Sequence, residues 1–298
     1  LFFISLVLLV IVFFPKPIGH EVNGSSRWIN FVFFKFQPSE LMKLSMILFM
    51  AGFLIRQEKD VRKPWMGFVK TMAIIFVAVI LVVTEKDIGA TLIISMTAMA
   101  MLFAAGTYLK QLAYFIPGAI ITTSIIVYFE QNRFLRVMEY LTDPSQVHQT
   151  WQALIGIARG GWFGTGLGGS IQKYTLLPEP QTDMIFAIIG EELGILGMLF
   201  VLLSYAYILG KGFNIGKIAL KKGRKYSSYV AFGICTWFAM QVTVNIGVNL
   251  GLLPVTGFTL PLISYGGSSL IISIISLAIL LRVDMESRTN YSKQIKYV

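Results

Sequence analysis

The sequence predicts an all-α polytopic membrane protein, and three observations carry that reading. Of 298 residues, 55% are hydrophobic and only 13% are charged, a composition outside the range of ordinary soluble domains. Eight apolar stretches recur along the chain, at about 1–14, 38–55, 66–84, 88–106, 111–129, 184–210, 228–250 and 262–282. Most reach the roughly 20 residues that a helix needs to cross about 30 Å of hydrocarbon. The period-2 alternation of barrel strands is missing, and in lipid only helices and closed barrels satisfy their own backbone.

The first stretch, "LFFISLVLLVIVFF", starts without a methionine and is short for a span. It lacks the basic start and small-residue cleavage site of a signal peptide. The expectation is that part of at least one helix precedes it. The lone Cys235 lies inside a span and excludes a disulfide framework.

The net charge of +10 resolves once it is placed by topology. With residue 1 on the cytoplasmic side, the inner segments are 56–63, 106–111, 211–227 and the tail after the last span, led by Arg282. Together with Lys70 at a membrane edge, they hold 16 of the 25 basic residues and four of the 15 acidic ones, Glu58, Asp60, Asp284 and Glu286. The inner side therefore carries +12 and everything else −2. Such a bias is the positive-inside signature. The excess faces anionic membrane lipids and leaves no role for nucleic acid.

Four segments then lie outside: 15–37, the short turn 85–87, the long loop 130–183, and 251–261. The long loop carries aromatics, clustered glycines and an apolar "WQALIGIA". That pattern predicts an interfacial or re-entrant helix near 149–158 followed by a glycine-rich turn. "GTGLGG", residues 164–169, matches G-x-G-x-x-G by letter. Its neighbours are spans and a loop, not the βαβ unit that a dinucleotide site requires, so a tight backbone turn is the simpler reading. No P-loop, zinc-ligand spacing or nucleophile elbow occurs. His20 and His148 stand alone, and "NGS" at Asn23 is a glycosylation sequon by letter only.

The remaining polar residues concentrate on the outer side. In "FKFQPSELMKL", Lys35 precedes a span, while Glu40 and Lys43 are i,i+3 neighbours able to pair. Lys43 either snorkels outward or faces a cavity, as intramembrane charges usually do. In "LLPEPQTDMIFAIIGEELG", Asp183 stands at an accessible lip. Glu191 and Glu192 lie roughly 12 to 13 Å deeper, about 80° and 180° around the helix. The buried pair reads as helix-packing and hydrogen-bonding residues, and Asp183 as the ionisable group with chemistry to do. Arg133, Arg136, Gln149 and Gln152 in the adjoining loop are candidates to accompany it, since guanidinium suits phosphate oxygens and amides suit sugar hydroxyls.

"NGSSRWI", "FQPSELMKL", "HQTWQALIGIARGGWFGTGLGGSIQKYTLLPEPQTDMIFAIIGEELG" and "NIGVNLGLLPVTGFTLPLISYGGSSL" together closely resemble the SEDS family of peptidoglycan glycosyltransferases. "GLGGSIQK" and "NIGVNLGLLPVTG" are more similar to its cell-division branch than to its elongation branch. The resemblance runs over essentially the whole chain. It implies one SEDS-type helical bundle over residues 1–298, its eight membrane segments matching the family's third to tenth, with the first two absent. One departure stands out: the family's Q-P-D-[LF]-G motif reads "EKDIG", with Lys86 in the proline position and Asp87 and Gly89 kept.

The resemblance further implies polymerisation of lipid II at the outer face of the bacterial cytoplasmic membrane, at the division septum, with release of undecaprenyl pyrophosphate. The essential aspartate of the family falls on Asp183, expected as catalytic base. Arg27, Lys35, Lys43, Arg133, Arg136, Gln149 and Gln152 are the expected substrate-binding residues. Glu40, Glu191, Glu192 and Ser264 are expected to be structural. A pyrophosphate leaving group needs cations, either basic side chains or a divalent ion such as Mg or Mn, for which Asp183 is the candidate ligand. Expected partners are a class B penicillin-binding transpeptidase (FtsI-like), other divisome proteins and membrane lipids. Two other classes stay open: a lipid II flippase, which should show broken helices meeting near the midplane, and a non-catalytic division scaffold, which needs no Asp183.

Overall fold

The computed structural model describes residues 1–14, 19–22, 25–30, 35–61, 66–107, 138, 148–175, 177–178 and 180–289. The predicted span at 111–129 and most of 130–147 lie outside them. In chain order the elements are α1 (Phe2–Ile11), β1 (Gly19–Val22), β2 (Ser25–Asn30), β3 (Lys35–Phe36), α2 (Pro38–Arg56), α3 (Glu58–Val61), α4 (Met66–Thr84) and α5 (Ile88–Ala104). There follow α6 (His148–Gly160), α7 (Gln172–Thr175), α8 (Ile185–Lys221), α9 (Lys225–Asn249) and α10 (Gly267–Arg288).

Among the described residues, α2, α8, α9 and α10 are long and apolar enough to cross a membrane; α1, Phe68–Thr84 and α5 are apolar but shorter. Among the described helices, α1, α2, α4, α5 and α9 lie within three residues of the apolar stretches read from the sequence, α10 is displaced by five to six residues, and α8 runs eleven residues further. The apolar run ends at 210, yet the helix continues through the basic stretch to Lys221. Lysines are good helix formers, and a backbone already in helical register propagates into water at little cost.

The chain forms two compact units: Leu1–Ala113, Ile208–Phe238 and Gly267–Val298 in the first, Tyr114–Tyr207 and Ala239–Gly266 in the second. In the first unit, α1 packs on α2. Ser5 and Ser45 share a 2.7 Å hydrogen bond, and the Phe2 and Phe49 rings stack at 4.3 Å. Small hydroxyl residues of this kind let membrane helices approach and still satisfy their polar atoms. Next to them, β1, β2 and β3 form a three-stranded antiparallel sheet with Gly19 opposite Ile29 and Ile29 opposite Phe36. The sequence reading left 15–37 as an outer connection. "SSRWIN" is β-branched and aromatic enough to pair, but six residues are too few to separate from a short apolar run.

The α4–α5 turn explains the departure at Lys86. This residue adopts φ +60, a conformation that the proline ring forbids. Its carbonyl accepts from the Arg27 guanidinium of β2. Asp87 then caps α5 by accepting from Ala90 N–H at 3.1 Å. Its other oxygen accepts from Ser39 Oγ at 3.0 Å and Gln37 Nε2 at 3.1 Å, which fastens the turn to the start of α2.

In the second unit, α6 forms where a helix was predicted and ends in the glycine-rich turn. Along α8, Gly194 breaks the helix at φ 69, ψ −166. The carbonyls and N–H groups freed by that kink are taken up by the turn. Thr165 N–H donates to the Glu191 carbonyl at 2.9 Å and Gly166 N–H to that of Glu192 at 3.0 Å. In return, Ile195 N–H donates to Gly161 at 2.9 Å and Leu196 N–H to Trp162 at 3.3 Å. A Cβ on Gly164 would lie 2.0 Å from the Glu192 carbonyl oxygen, and one on Gly194 2.5 Å from that of Trp162. "GTGLGG" is thus a backbone splint for a broken helix, and glycine is required because main chain lies against main chain.

Candidate active site

Residues 181–183, just before α8, are gripped by their main-chain carbonyls. Tyr265 N–H donates to Gln181 at 2.8 Å and the Ser264 hydroxyl donates to Thr182. The side-chain amides of Asn245 and Asn249 both donate to the Asp183 carbonyl at 2.9 Å. Asn249 also turns its Oδ1 to the Ala187 N–H at 2.9 Å, a first-turn donor of α8 whose other acceptor is the Met184 carbonyl at 3.2 Å. One amide therefore serves two ends of the segment, a double use open to Asn but not to an ionised Asp. Asn245 and Asn249 sit four residues apart on one face of α9. Neither is among the site residues expected from the sequence. The signal was there: two amides at i,i+4 in an otherwise apolar span, where polar groups are costly unless paired.

The grip changes the setting predicted for Asp183. The residue is only 8% exposed, so it does not stand at an open lip. Capture of three successive carbonyls draws the segment into the wall of the unit, and the neighbouring Met184 packs against Ala153, Leu177, Ala187 and Val248. The Thr182 hydroxyl donates to Asp183 Oδ1 at 3.2 Å.

The two deeper glutamates are held by their side chains. Glu191 is fully buried. Its Oε1 accepts from Arg159 at 3.1 Å and from Ile171 N–H at 3.0 Å, and its Oε2 accepts from Ser170 Oγ at 2.5 Å. Glu192 pairs with Lys173. Of the two loop amides, Gln149 donates to the Pro178 carbonyl at 3.3 Å, and Gln152 keeps a buried Oε1 that accepts no hydrogen bond.

The first unit holds the other predicted group. Lys43 is 4% exposed and Glu40 6%. Their ion pair closes at 2.8 Å, with the ammonium 5.1 Å from the centre of the Trp237 ring. Lys43 therefore does not snorkel to the surface; pairing and the aromatic face offset its burial. Lys35 is exposed on β3, and Arg27 is committed to the Lys86 carbonyl. Arg133 and Arg136 lie outside the described residues. No group of three His, Cys, Asp or Glu side chains that would cage a metal occurs among the described residues. A lone carboxylate such as Asp183 fits only the mode in which substrate phosphates supply the other ligands.

These features define a polytopic helical membrane protein with a clamped aspartate at the head of a long, kinked span. The family model described as "Cell cycle protein", covering FtsW, RodA and SpoVE, matches residues 1–289, and the chain belongs to that family. It is 45% identical over 286 residues to a probable peptidoglycan glycosyltransferase FtsW of Legionella pneumophila, covering 94% of this chain and 72% of the relative. It is 41% identical over 290 residues to the protein of the same description from Tolumonas auensis, covering 96% and 76%. Among solved structures, the fold is similar to a chain described under "Structural coordination of polymerization and crosslinking by a peptidoglycan synthase complex". The TM-score there is 0.76 at 25% identity, over 97% of this chain and 81% of that one. It is also similar to the rod shape determining protein RodA of Thermus thermophilus, with TM-score 0.67 at 26% identity, over 97% and 78%.

Proposed function

We propose that this chain is a peptidoglycan glycosyltransferase that polymerises lipid II into glycan strands for the septal wall, releasing undecaprenyl pyrophosphate. Its place is the cytoplasmic (inner) membrane of a bacterium, as a multi-pass protein of eight membrane segments with its long loop and catalytic face outside. A class B penicillin-binding transpeptidase is its partner, and the likeness to a peptidoglycan synthase complex supports that pairing. The observation that carries the proposal is the clamp on Asp183 in a chain whose relatives bear the name of this activity.

The step is a displacement at an anomeric carbon. The 4-hydroxyl oxygen of one sugar chain bonds to C1 of the other, the C1–oxygen bond to pyrophosphate breaks, and the hydroxyl proton passes to the Asp183 carboxylate. A general base must reach the proton it takes with little wasted motion. The three-carbonyl grip fixes Asp183 through atoms that take no part in that transfer. Charge developing on the pyrophosphate calls for basic side chains, and Arg133 and Arg136 of the outer loop are the proposed cations. A Mg or Mn ion bound with the pyrophosphate would supply further neutralisation, and Asp183 would then be its protein ligand rather than the base.

Purified protein with labelled lipid II tests the reading. Polymer from the parent and far less from Asp183→Asn, with lipid II binding retained, is expected. Translocation across a vesicle without polymer would make the protein a transporter, and neither activity would make it a scaffold.

A further inference from the structure

The glycine turn exposes large apolar side chains that nothing in the catalytic reading uses. Phe163 is 81% exposed, Leu167 82% and Trp162 66%, with Tyr174 and Ile171 beside them in sequence. Its backbone is fastened at several points. Gly164 N–H donates to Gly160, Gly169 N–H to Gly166, and four further bonds join the turn to the kink of α8.

Sequence count along α8 gives the level. Lys211 is the first charge after the apolar run, and about twenty residues of helix cross the hydrocarbon. Counting back from Lys211 brings the opposite edge to the neighbourhood of Glu191, where the turn is fastened. On α8 itself, Leu193, Leu196, Leu199, Phe200 and Leu203 are exposed just beyond that point. They are the outward face of a membrane-crossing helix, and the bare side chains of the turn stand at the level where that face begins. Aromatic residues collect at this boundary, and the Lys173–Glu192 pair sits there as a polar rim.

We infer that the turn from Gly160 to Gly169 is an interfacial anchor: Trp162, Phe163 and Leu167 insert into the bilayer leaflet on the Asp183 side. Its occupant is lipid hydrocarbon, continuous with the lipid around α8. The anchor ties the height of the kinked helix, and of the segment preceding it, to the membrane surface. It stands independently of the catalytic reading.

Spin-label accessibility decides the matter. A nitroxide is attached at Leu167→Cys in a Cys235→Ala background, in the full chain reconstituted into phospholipid vesicles. Leu199→Cys serves as the lipid-facing reference and Gln181→Cys as the water-facing one. The label at 167 is expected to favour oxygen over a water-soluble nickel chelate several-fold, as at 199. Phe163→Cys should give the same answer, and it replaces Leu167→Cys if that variant fails to insert. Accessibility at both positions matching that at 181 overturns the anchor, whether the face is bare or reserved for a protein partner. Polymerisation assays play no part in this readout, so loss of the anchor leaves the role of Asp183 untouched, and the reverse.

Discussion

Asp183 and Glu191 lie eight residues apart at the head of the same helix, both buried, and the fold holds them in opposite ways. Asp183 is gripped by its main chain: two asparagine amides take its carbonyl, and the carbonyls before it are taken in the same manner. Glu191 is gripped by its carboxylate, whose oxygens accept from Arg159, Ser170 and Ile171. A carboxylate that receives several hydrogen bonds in its ionised form has its lone pairs spent on structure, and protonating it would break them. On the proposed function, the contrast is between a base set in place by its main chain and a carboxylate committed to packing.

The largest expected effect tests the first half of the contrast. Asp183→Asn keeps shape and the carbonyl grip but removes the base, so turnover of labelled lipid II should fall by about 10²–10⁴, with melting temperature unchanged within a degree or two. Parental turnover would break the assignment of Asp183. Glu191→Gln should do the reverse. Its amide cannot accept from Arg159, Ser170 and Ile171 together, at a cost of about 1.5–3 kcal/mol. The melting temperature should drop, while turnover per folded molecule stays near the parental value. A normal melting point with lost turnover would move Glu191 from the holding class to the reacting one.

The contrast was partly legible beforehand. Depth and angular spacing along one helix set Asp183 apart from Glu191 and Glu192, because helical periodicity is a local property of sequence. The kink at Gly194 and its splint were not legible. "GTGLGG" and "GEELG" are 20 to 30 residues apart, and only tertiary packing tells a glycine that bends from one that merely lies in a helix. The buried state of Asp183 is not legible for the same reason, since its partners Asn245 and Asn249, and Ser264 on the neighbouring Thr182, come from far along the chain. The small sheet at 19–36 was too short to declare itself. The helical fold, by contrast, follows almost wholly from hydropathy, because lipid leaves the backbone so few alternatives.

Asn249→Ala sharpens the contrast at smaller scale. It removes one of two donors to the Asp183 carbonyl and the cap on Ala187, at a cost of about 1–2 kcal/mol. If the grip positions the base, kcat should fall roughly 5- to 30-fold, with KM for lipid II little changed. Asn249→Ser, which can still donate, should recover part of it. Equal loss of folded protein and of activity, with kcat per folded molecule preserved, would reduce the asparagines to packing.

The smallest effect concerns a third buried carboxylate, held in neither way. Glu85, in the turn between α4 and α5, has no exposure, and neither carboxyl oxygen has a hydrogen-bond partner. Burial, with help from the charge of Asp87 and against the pull of Arg27, raises its pKa from 4.5 to about 9. The sign of the consequence is fixed by linkage. Below about pH 4.5 the folded and unfolded chains both carry the proton, and Glu85 imposes no penalty. Between that pH and about 9 the unfolded chain releases the proton while the folded chain keeps it, so stability falls as pH rises. Glu85→Gln removes the titration and leaves a side chain of the same size. The variant should gain about 1 kcal/mol over the parent near pH 7.5, less than the full linkage value because local relaxation lets in some solvation. The gain should shrink to nothing toward pH 5. Melting temperatures of both proteins across pH 5–8.5 in one detergent measure it. A constant difference over that range would mean that Glu85 stays ionised, held after all by a partner such as Arg27.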